Sequence, residues 1–216
     1  MFKLLAQEFV NQYSFLNLFN FITFRVGASI LTSLFFSLIF GQFIINKLSK
    51  IQPYGQPIRD DGPETHIVHK VGTPTMGGIL IILSVMISSI LWANLQNSFV
   101  WTCLLTLLVF GLIGIIDDYK KIKSNSSNGL RAITRIIIQI IFALIISLII
   151  LLILDNEINT TIAFPFFKNL IINFGYFYIL ISIFILVGSA NAVNLTDGLD
   201  GLAIVPVMIV AMTFAF

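Results

Sequence analysis

Charge is what this sequence has least of. Only 10% of its 216 residues are Asp, Glu, Lys or Arg, against about 25% in a soluble domain. That shortage excludes a water-soluble globular fold. A hydrophobic share of 57% and a mean hydropathy of +0.99 indicate an integral membrane protein instead. Cysteine is almost absent. The single Cys103 lies within an apolar run, which excludes a disulfide framework or a cysteine zinc site and reads as a small buried hydrophobe. Histidine is scarce too: His66 and His69 form a His-x-x-His pair with no third ligand, so a solvated or structural role is favoured over metal binding. A net charge of +2 says nothing about nucleic acid, because the basic residues are segregated rather than spread over a soluble face; no nucleic-acid partner is expected. The N-terminus lacks the small-residue cleavage pattern of a secretory signal, so none is expected.

What is abundant is long apolar runs. Residues 1–20 are aromatic-rich and amphipathic, which suits an interfacial helix. Runs at Phe21–Ile45, Met76–Leu95, Phe99–Ile116, Ala132–Leu154, Ile171–Ala190 and Leu202–Phe216 predict about six transmembrane helices. Arg25 is close enough to the start of the first run to snorkel to the headgroups. The sixth run has only fifteen residues when the sequence stops, so a fragment of a longer protein is expected. The fold class is all-α, a polytopic membrane protein forming a single membrane-embedded domain over residues 1–216.

Nine of the twelve Lys and Arg residues lie in two segments: Lys47, Lys50, Arg59 and Lys70 in 46–75, and Lys120, Lys121, Lys123, Arg131 and Arg135 in 117–135. Lys3, Arg25 and Lys168 fall on the other side. The excess places both segments in the cytoplasm. Parity adds 191–201, so three polar stretches of about 46–75, 117–131 and 191–201 share one face.

The first, DGPETHIVHKVGTPTMGG at 61–78, cannot be one helix because of Pro63 and Pro74, and its glycines permit close backbone approach. Lys70 suits a phosphate or a pyrimidine carbonyl, and Thr73 and Thr75 carry hydroxyl donors. A flexible loop capping the second span is the plainer alternative. The second, DDYKK at 117–121, sits where the third span leaves the membrane, and ionisable groups there are a functional-site hypothesis by default. Magnesium takes one or two carboxylates plus phosphates and water. Adjacent helical residues diverge by about 100°, so Asp117 and Asp118 are expected to divide their tasks. Lys121, one turn on, can pair with Asp117 or neutralise phosphate; a solvated helix end is the alternative. The third, NAVNLTDGLDGLA at 191–203, offers Asp197 and Asp200 on one face if helical. It could equally fold as a glycine-hinged loop whose Asn side chains read a base edge, or merely cap a span.

Taken together, the three blocks resemble the polyprenyl-phosphate N-acetylhexosamine-1-phosphate transferase superfamily, in family order and along the whole chain. The His-Lys-Val-Gly-Thr-Pro-Thr-Met-Gly-Gly run at 69–78 resembles its phospho-N-acetylmuramoyl-pentapeptide-transferring branch. The resemblance implies transfer from UDP-N-acetylmuramoyl-pentapeptide to undecaprenyl phosphate, giving lipid I and UMP with Mg2+, at a cytoplasm-facing site in the bacterial inner membrane. It implies Asp117 and Asp118 as catalytic and metal-holding acids, Lys121 as a phosphate contact, and Lys70, Thr75, Asn194, Asp197, Gly198, Leu199 and Asp200 as the nucleotide-side pocket. The family has about ten spans, with a further metal-binding Asp and a histidine cluster after the sixth. Those positions lie beyond residue 216, which leaves the activity of this chain by itself in question. Undecaprenyl phosphate, the sugar nucleotide and the bilayer are the implied partners; the oligomeric state stays open, a homodimer included.

Other readings are weighed on residues. A related enzyme using a UDP-N-acetylhexosamine is the nearest. A prenyltransferase wants Asp-Asp-x-x-Asp, where Lys121 stands last. A CDP-alcohol phosphotransferase wants an Arg that Asp200-Gly201-Leu202-Ala203 lacks. An organic-phosphate transporter places ionisable groups near the midplane, whereas here the acids gather at one surface. A scaffold role leaves Asp117–Lys121 unexplained.

Overall fold

The computed structural model describes residues 1–53, 55, 72–124, 129–154, 160–164, 167, 169–197 and 201–215. Helices α1 (Phe2–Phe9), α2 (Ile22–Ile51), α3 (Gly78–Trp92), α4 (Ser98–Ser124) and α5 (Ala132–Ile153) come first. A two-stranded hairpin, β1 (Thr161–Ala163) and β2 (Ile171–Asn173), follows, then α6 (Phe177–Thr196) and α7 (Ile204–Ala215). Among the described residues α2, α4, α5 and α6 are long and apolar enough to cross a membrane, and α3 and α7 are shorter apolar helices. The chain is a multi-pass helical membrane protein.

Several boundaries depart from expectation. The first span runs on to Ile51 because no glycine or proline interrupts it after Gly41. Pro53 then forces the residue before it out of the helical region, with Gln52 at φ −123° and ψ 68°. The second starts late because Met76 is left-handed, at φ 71°. Its 15 residues reach only about 22 Å. The third continues through the lysines to Ser124, where cations suit the negative end of the helix dipole. The polar stretches expected over 46–75, 117–131 and 191–201 are thus helical over 46–51, 117–124 and 191–196. Residues 171–173, placed by hydropathy in the fifth span, instead pair antiparallel with β1, with Ile172 opposite Ile162. Their β-branched side chains favour that pairing, and the span proper begins at Phe177 after a left-handed Gly175. An expected interfacial helix over 1–20 is α1 plus a 3-10 turn, Ser14–Asn20.

Contacts divide the chain into two compact units, Met1–Arg135 and Ile136–Phe216. In the first, Leu104, Val109 and Ile113 of α4 are buried, but many apolar side chains face outward and several polar ones face inward. Ile30, Leu34 and Leu38 of α2 are exposed, while Ser84, Ser88 and Thr102 are buried. In lipid an apolar side chain gains little by turning inward, so small and polar residues line the helix contacts. Ser37 and Ser84 share a hydrogen bond at 2.9 Å between α2 and α3. A Cβ at Gly111 of α4 would run into the Ile82 side chain of α3. Cys103, expected buried, is exposed on α4; an outward thiol costs little where the surroundings are apolar.

Opposite the polar end, Trp92 organises the start of the chain. Its ring stacks on Phe19 with centroids 5.8 Å apart and 7° between planes, touches Phe2 and Phe24, and its Nε1 donates to Thr32 Oγ1 at 2.9 Å. Arg25, expected to snorkel, donates to the Trp92 carbonyl at 3.4 Å. In the second unit, Gln139 and Ser147 of α5 are buried, and Asn191 Nδ2 of α6 donates to Gln139 Oε1 at 2.6 Å. Trp92→Ala removes the stack as well as the hydrogen bond and should destabilise the purified protein by about 2 kcal/mol or more. Trp92→Phe, which loses the hydrogen bond but keeps a ring, should cost roughly 1 kcal/mol. Thermal unfolding in detergent checks the order, and equal losses would contradict a role for the stack.

Candidate active site

The apolar part of α4 ends at Ile116. At 27 residues the helix is about 40 Å long, against a hydrocarbon core of about 30 Å, so its last two turns project beyond the membrane-spanning stretch. Asp117, Asp118 and Lys121 begin that projection. Spacings of four and three residues place Lys121 above both acids. Its ammonium lies 2.7 Å from Asp117 Oδ2 and 3.1 Å from Asp118 Oδ1. The two carboxylates do diverge as helical neighbours must, and one long cation spans the gap.

Each acid takes its second partner from a different segment. Asp117, only 7% exposed, accepts the Leu130 backbone N–H on Oδ1 at 2.7 Å. A Cβ at the neighbouring Gly129 would fall on the Asp117 carboxyl group, so only glycine lets the chain pass so close. Asp118, with a side chain 29% exposed, accepts the Thr75 hydroxyl on Oδ2 at 3.0 Å. Thr75 is itself held at two points by the buried Gln52 side chain: Oε1 accepts the Thr75 N–H at 2.8 Å and Nε2 donates to the Thr75 carbonyl at 3.3 Å.

Burial pushes the Asp117 carboxyl up, but the Lys121 hydrogen bond, the Leu130 amide and the charges of Lys121 and Arg135 outweigh it and leave it below the usual carboxylate range. Burial likewise pulls Lys121 down, and hydrogen bonds and attraction from Asp117 and Asp118 more than restore it, raising it above the ordinary lysine value. Both groups are therefore charged at neutral pH.

Among the described residues no three His, Cys, Asp or Glu side chains gather, so the acidic donors here are the two carboxylates. Each of their four oxygens carries one hydrogen bond or ion-pair partner. A second lone pair remains on each oxygen, and hard oxygen donors of this kind suit a divalent cation that draws its other ligands from phosphate and water.

Four of the sequence-derived positions thus assemble in the first unit: Thr75, Asp117, Asp118 and Lys121. Asn194 and Asp197 belong to the second unit, Asn194 within α6 and Asp197 just past its last helical residue. Lys70, Gly198, Leu199 and Asp200 lie outside the described residues, as do His66 and His69. Sequence reasoning missed Gln52, Gly129 and the Leu130 amide. A glutamine after a span and a glycine after a polar run carry no local signal of what they touch.

Residues 100–216 match the sequence profile of glycosyl transferase family 4. The chain belongs to this family. The α4 acids, Asn194 and Asp197 all fall within the matched stretch. Residues 70–82, which include Thr75, match phospho-N-acetylmuramoyl-pentapeptide-transferase signature 1. The chain is similar to the phospho-N-acetylmuramoyl-pentapeptide-transferase of Pelagibacter ubique (strain HTCC1062), 50% identical over 98% of this chain and 58% of that protein. It is also similar to the protein of the same name from Ruegeria sp. (strain TM1040), 48% identical over 92% of this chain and 55% of that protein. It spans a little over half the length of these family 4 relatives.

Gly129→Ala should destabilise the protein by about 1–3 kcal/mol through overpacking against Asp117, and the loss should largely vanish in an Asp117→Ala background. Thermal unfolding of the four-protein cycle measures this. An equal loss in both backgrounds would contradict the contact.

Proposed function

We propose that the full-length protein transfers phospho-N-acetylmuramoyl-pentapeptide from its UDP conjugate to undecaprenyl phosphate, giving lipid I and UMP. The observation that carries this reading is the Thr75–Asp118–Lys121–Asp117 cluster. It joins the segment bearing the transferase signature to the acidic end of a membrane-spanning helix. Acids at the rim of a lipid-embedded helix serve a reaction with one lipid and one water-soluble substrate. The excess of basic residues on the flanking segments supports a rim on the cytoplasmic side, and the family resemblance implies the bacterial inner membrane.

Phosphoryl transfer needs chiefly positioning and charge stabilisation. An oxygen of the lipid phosphate attacks the β-phosphorus of the sugar nucleotide. The bond from that phosphorus to the bridging oxygen breaks, and UMP leaves with the bridging oxygen. A phosphate monoester with a second pKa near 6 is largely dianionic at neutral pH and needs little help from a base. Asp117, held charged by Lys121 and the Leu130 amide, is a weak base, which favours orienting the lipid phosphate over deprotonating it. Lys121 uses two of its three ammonium hydrogens on the acids and keeps the third for phosphate. Asp118 presents the more exposed edge and, with Asp117, would hold magnesium. When bound, that ion would neutralise charge on the pyrophosphate oxygens. Lys70, Asn194, Asp197, Gly198, Leu199 and Asp200 are assigned to the nucleotide side on the family resemblance.

In the full-length protein, Asp117→Asn and Asp118→Asn should each lower turnover by about a hundredfold or more, read as UMP release that depends on magnesium and undecaprenyl phosphate. Near-normal rates for either variant would remove that residue's role. Preference for a UDP-N-acetylhexosamine in direct competition would redirect the reading to the related branch.

A further inference from the structure

Gln52 is the residue whose burial the mechanism leaves unexplained. It is 1% exposed, at the end of a lipid-exposed helix beside a polar surface. A side-chain amide so placed must have its hydrogen bonds met, and both are met by one residue, the Thr75 backbone. Its own backbone is fixed as well: the Gln52 N–H donates to Leu48 O at 2.9 Å, closing α2. The Gly55 N–H returns to Gln52 O at 2.9 Å. Gly55 is left-handed, at φ 70°, and a Cβ there would lie 2.7 Å from the Gly72 carbonyl carbon. Gly55 therefore packs backbone to backbone against Gly72 and Thr73, and Gln52 fastens the end of α2 to Thr75. On the far side of Thr75, Met76 holds a left-handed conformation that a non-glycine residue adopts only when its surroundings impose it.

We propose that Gln52 is a positioning residue for the transfer reaction. By holding Thr75 at both backbone polar atoms, it aims the Thr75 hydroxyl at Asp118 and links α2 to the acids of α4. Without it, Thr75 would hang between Pro74 and a strained Met76 with nothing to set its rotation. Its hydroxyl would then no longer be held on Asp118 Oδ2. This inference rests on the proposed activity for its kinetic consequence, but the clamp itself can be tested without it.

The test is a double-mutant cycle in the full-length protein. Gln52→Leu keeps most of the volume while removing both hydrogen bonds, and Thr75→Val removes only the hydroxyl. Gln52→Leu is expected to lower kcat/KM for UMP release about tenfold or more in the Thr75 background, yet less than about twofold in the Thr75→Val background. Equal losses in both would make Gln52 merely structural and overturn the proposal. Hydrogen exchange at the Thr75 amide of the unsubstituted protein supplies a second readout, needed if the variant does not fold. Exchange slowed at least about tenfold relative to an unstructured peptide is expected, and unslowed exchange overturns the clamp whatever the variants do. If the unsubstituted protein releases no UMP, the functional reading fails, while the exchange measurement still decides the fate of the clamp.

Discussion

One ammonium group shared between two adjacent carboxylates is what the described site depends on. Asp117 and Asp118 are neighbours on a helix that has just left an apolar environment, and two unscreened negative charges there would repel each other and resist desolvation. Lys121 meets both on a single turn. With one cation offsetting part of their charge, each acid recruits one further neutral donor: the Leu130 amide for Asp117 and the Thr75 hydroxyl for Asp118. Three stretches of chain thereby converge on one helical turn without any new charge being buried.

The scaffold around that turn is built by lipid rules. Many apolar side chains face outward, and small or hydroxylated residues join Leu104, Val109 and Ile113 at the buried positions of the first unit. Ser37 with Ser84, and the close passage of Gly111 by Ile82, fix how α2, α3 and α4 stand beside one another. Rigidity there matters to chemistry, because the Thr75 hydroxyl enters from the start of α3 while the acids enter from the end of α4. A slip between those helices of an ångström would break the 3.0 Å contact to Asp118.

Much of this was legible in the order of the residues. The long spans were readable because eighteen apolar residues can do little else than cross a bilayer. The Asp117–Lys121 and Asp118–Lys121 pairs follow from helical spacing once the helix is granted. What stayed hidden was set by tertiary approach or by backbone strain. Ile171–Asn173 pairs as a strand, yet on hydropathy it blends into the span that follows. The left-handed Met76 shortens α3 by two residues at its start, with no compositional sign. Gln52 and Thr75 are 23 positions apart and Asp117 and Leu130 are 13 apart; neither spacing has a local periodicity to announce it. Gly129 is needed for what it lacks, a Cβ beside a carboxylate, and that too is visible only in three dimensions.

Under the proposed function, the acids of α4 stand where a lipid-borne phosphate and a water-soluble nucleotide would both have to arrive. The measurement that bears most directly on it is cross-linking of Thr75→Cys to Asp118→Cys, in full-length protein within native membranes and with Cys103→Ala to remove the remaining thiol of this region. Mild oxidation should join positions 75 and 118, because their side chains are in direct contact. Failure to cross-link, with each thiol labelled independently by a soluble reagent, would contradict the convergence of the two segments on one site.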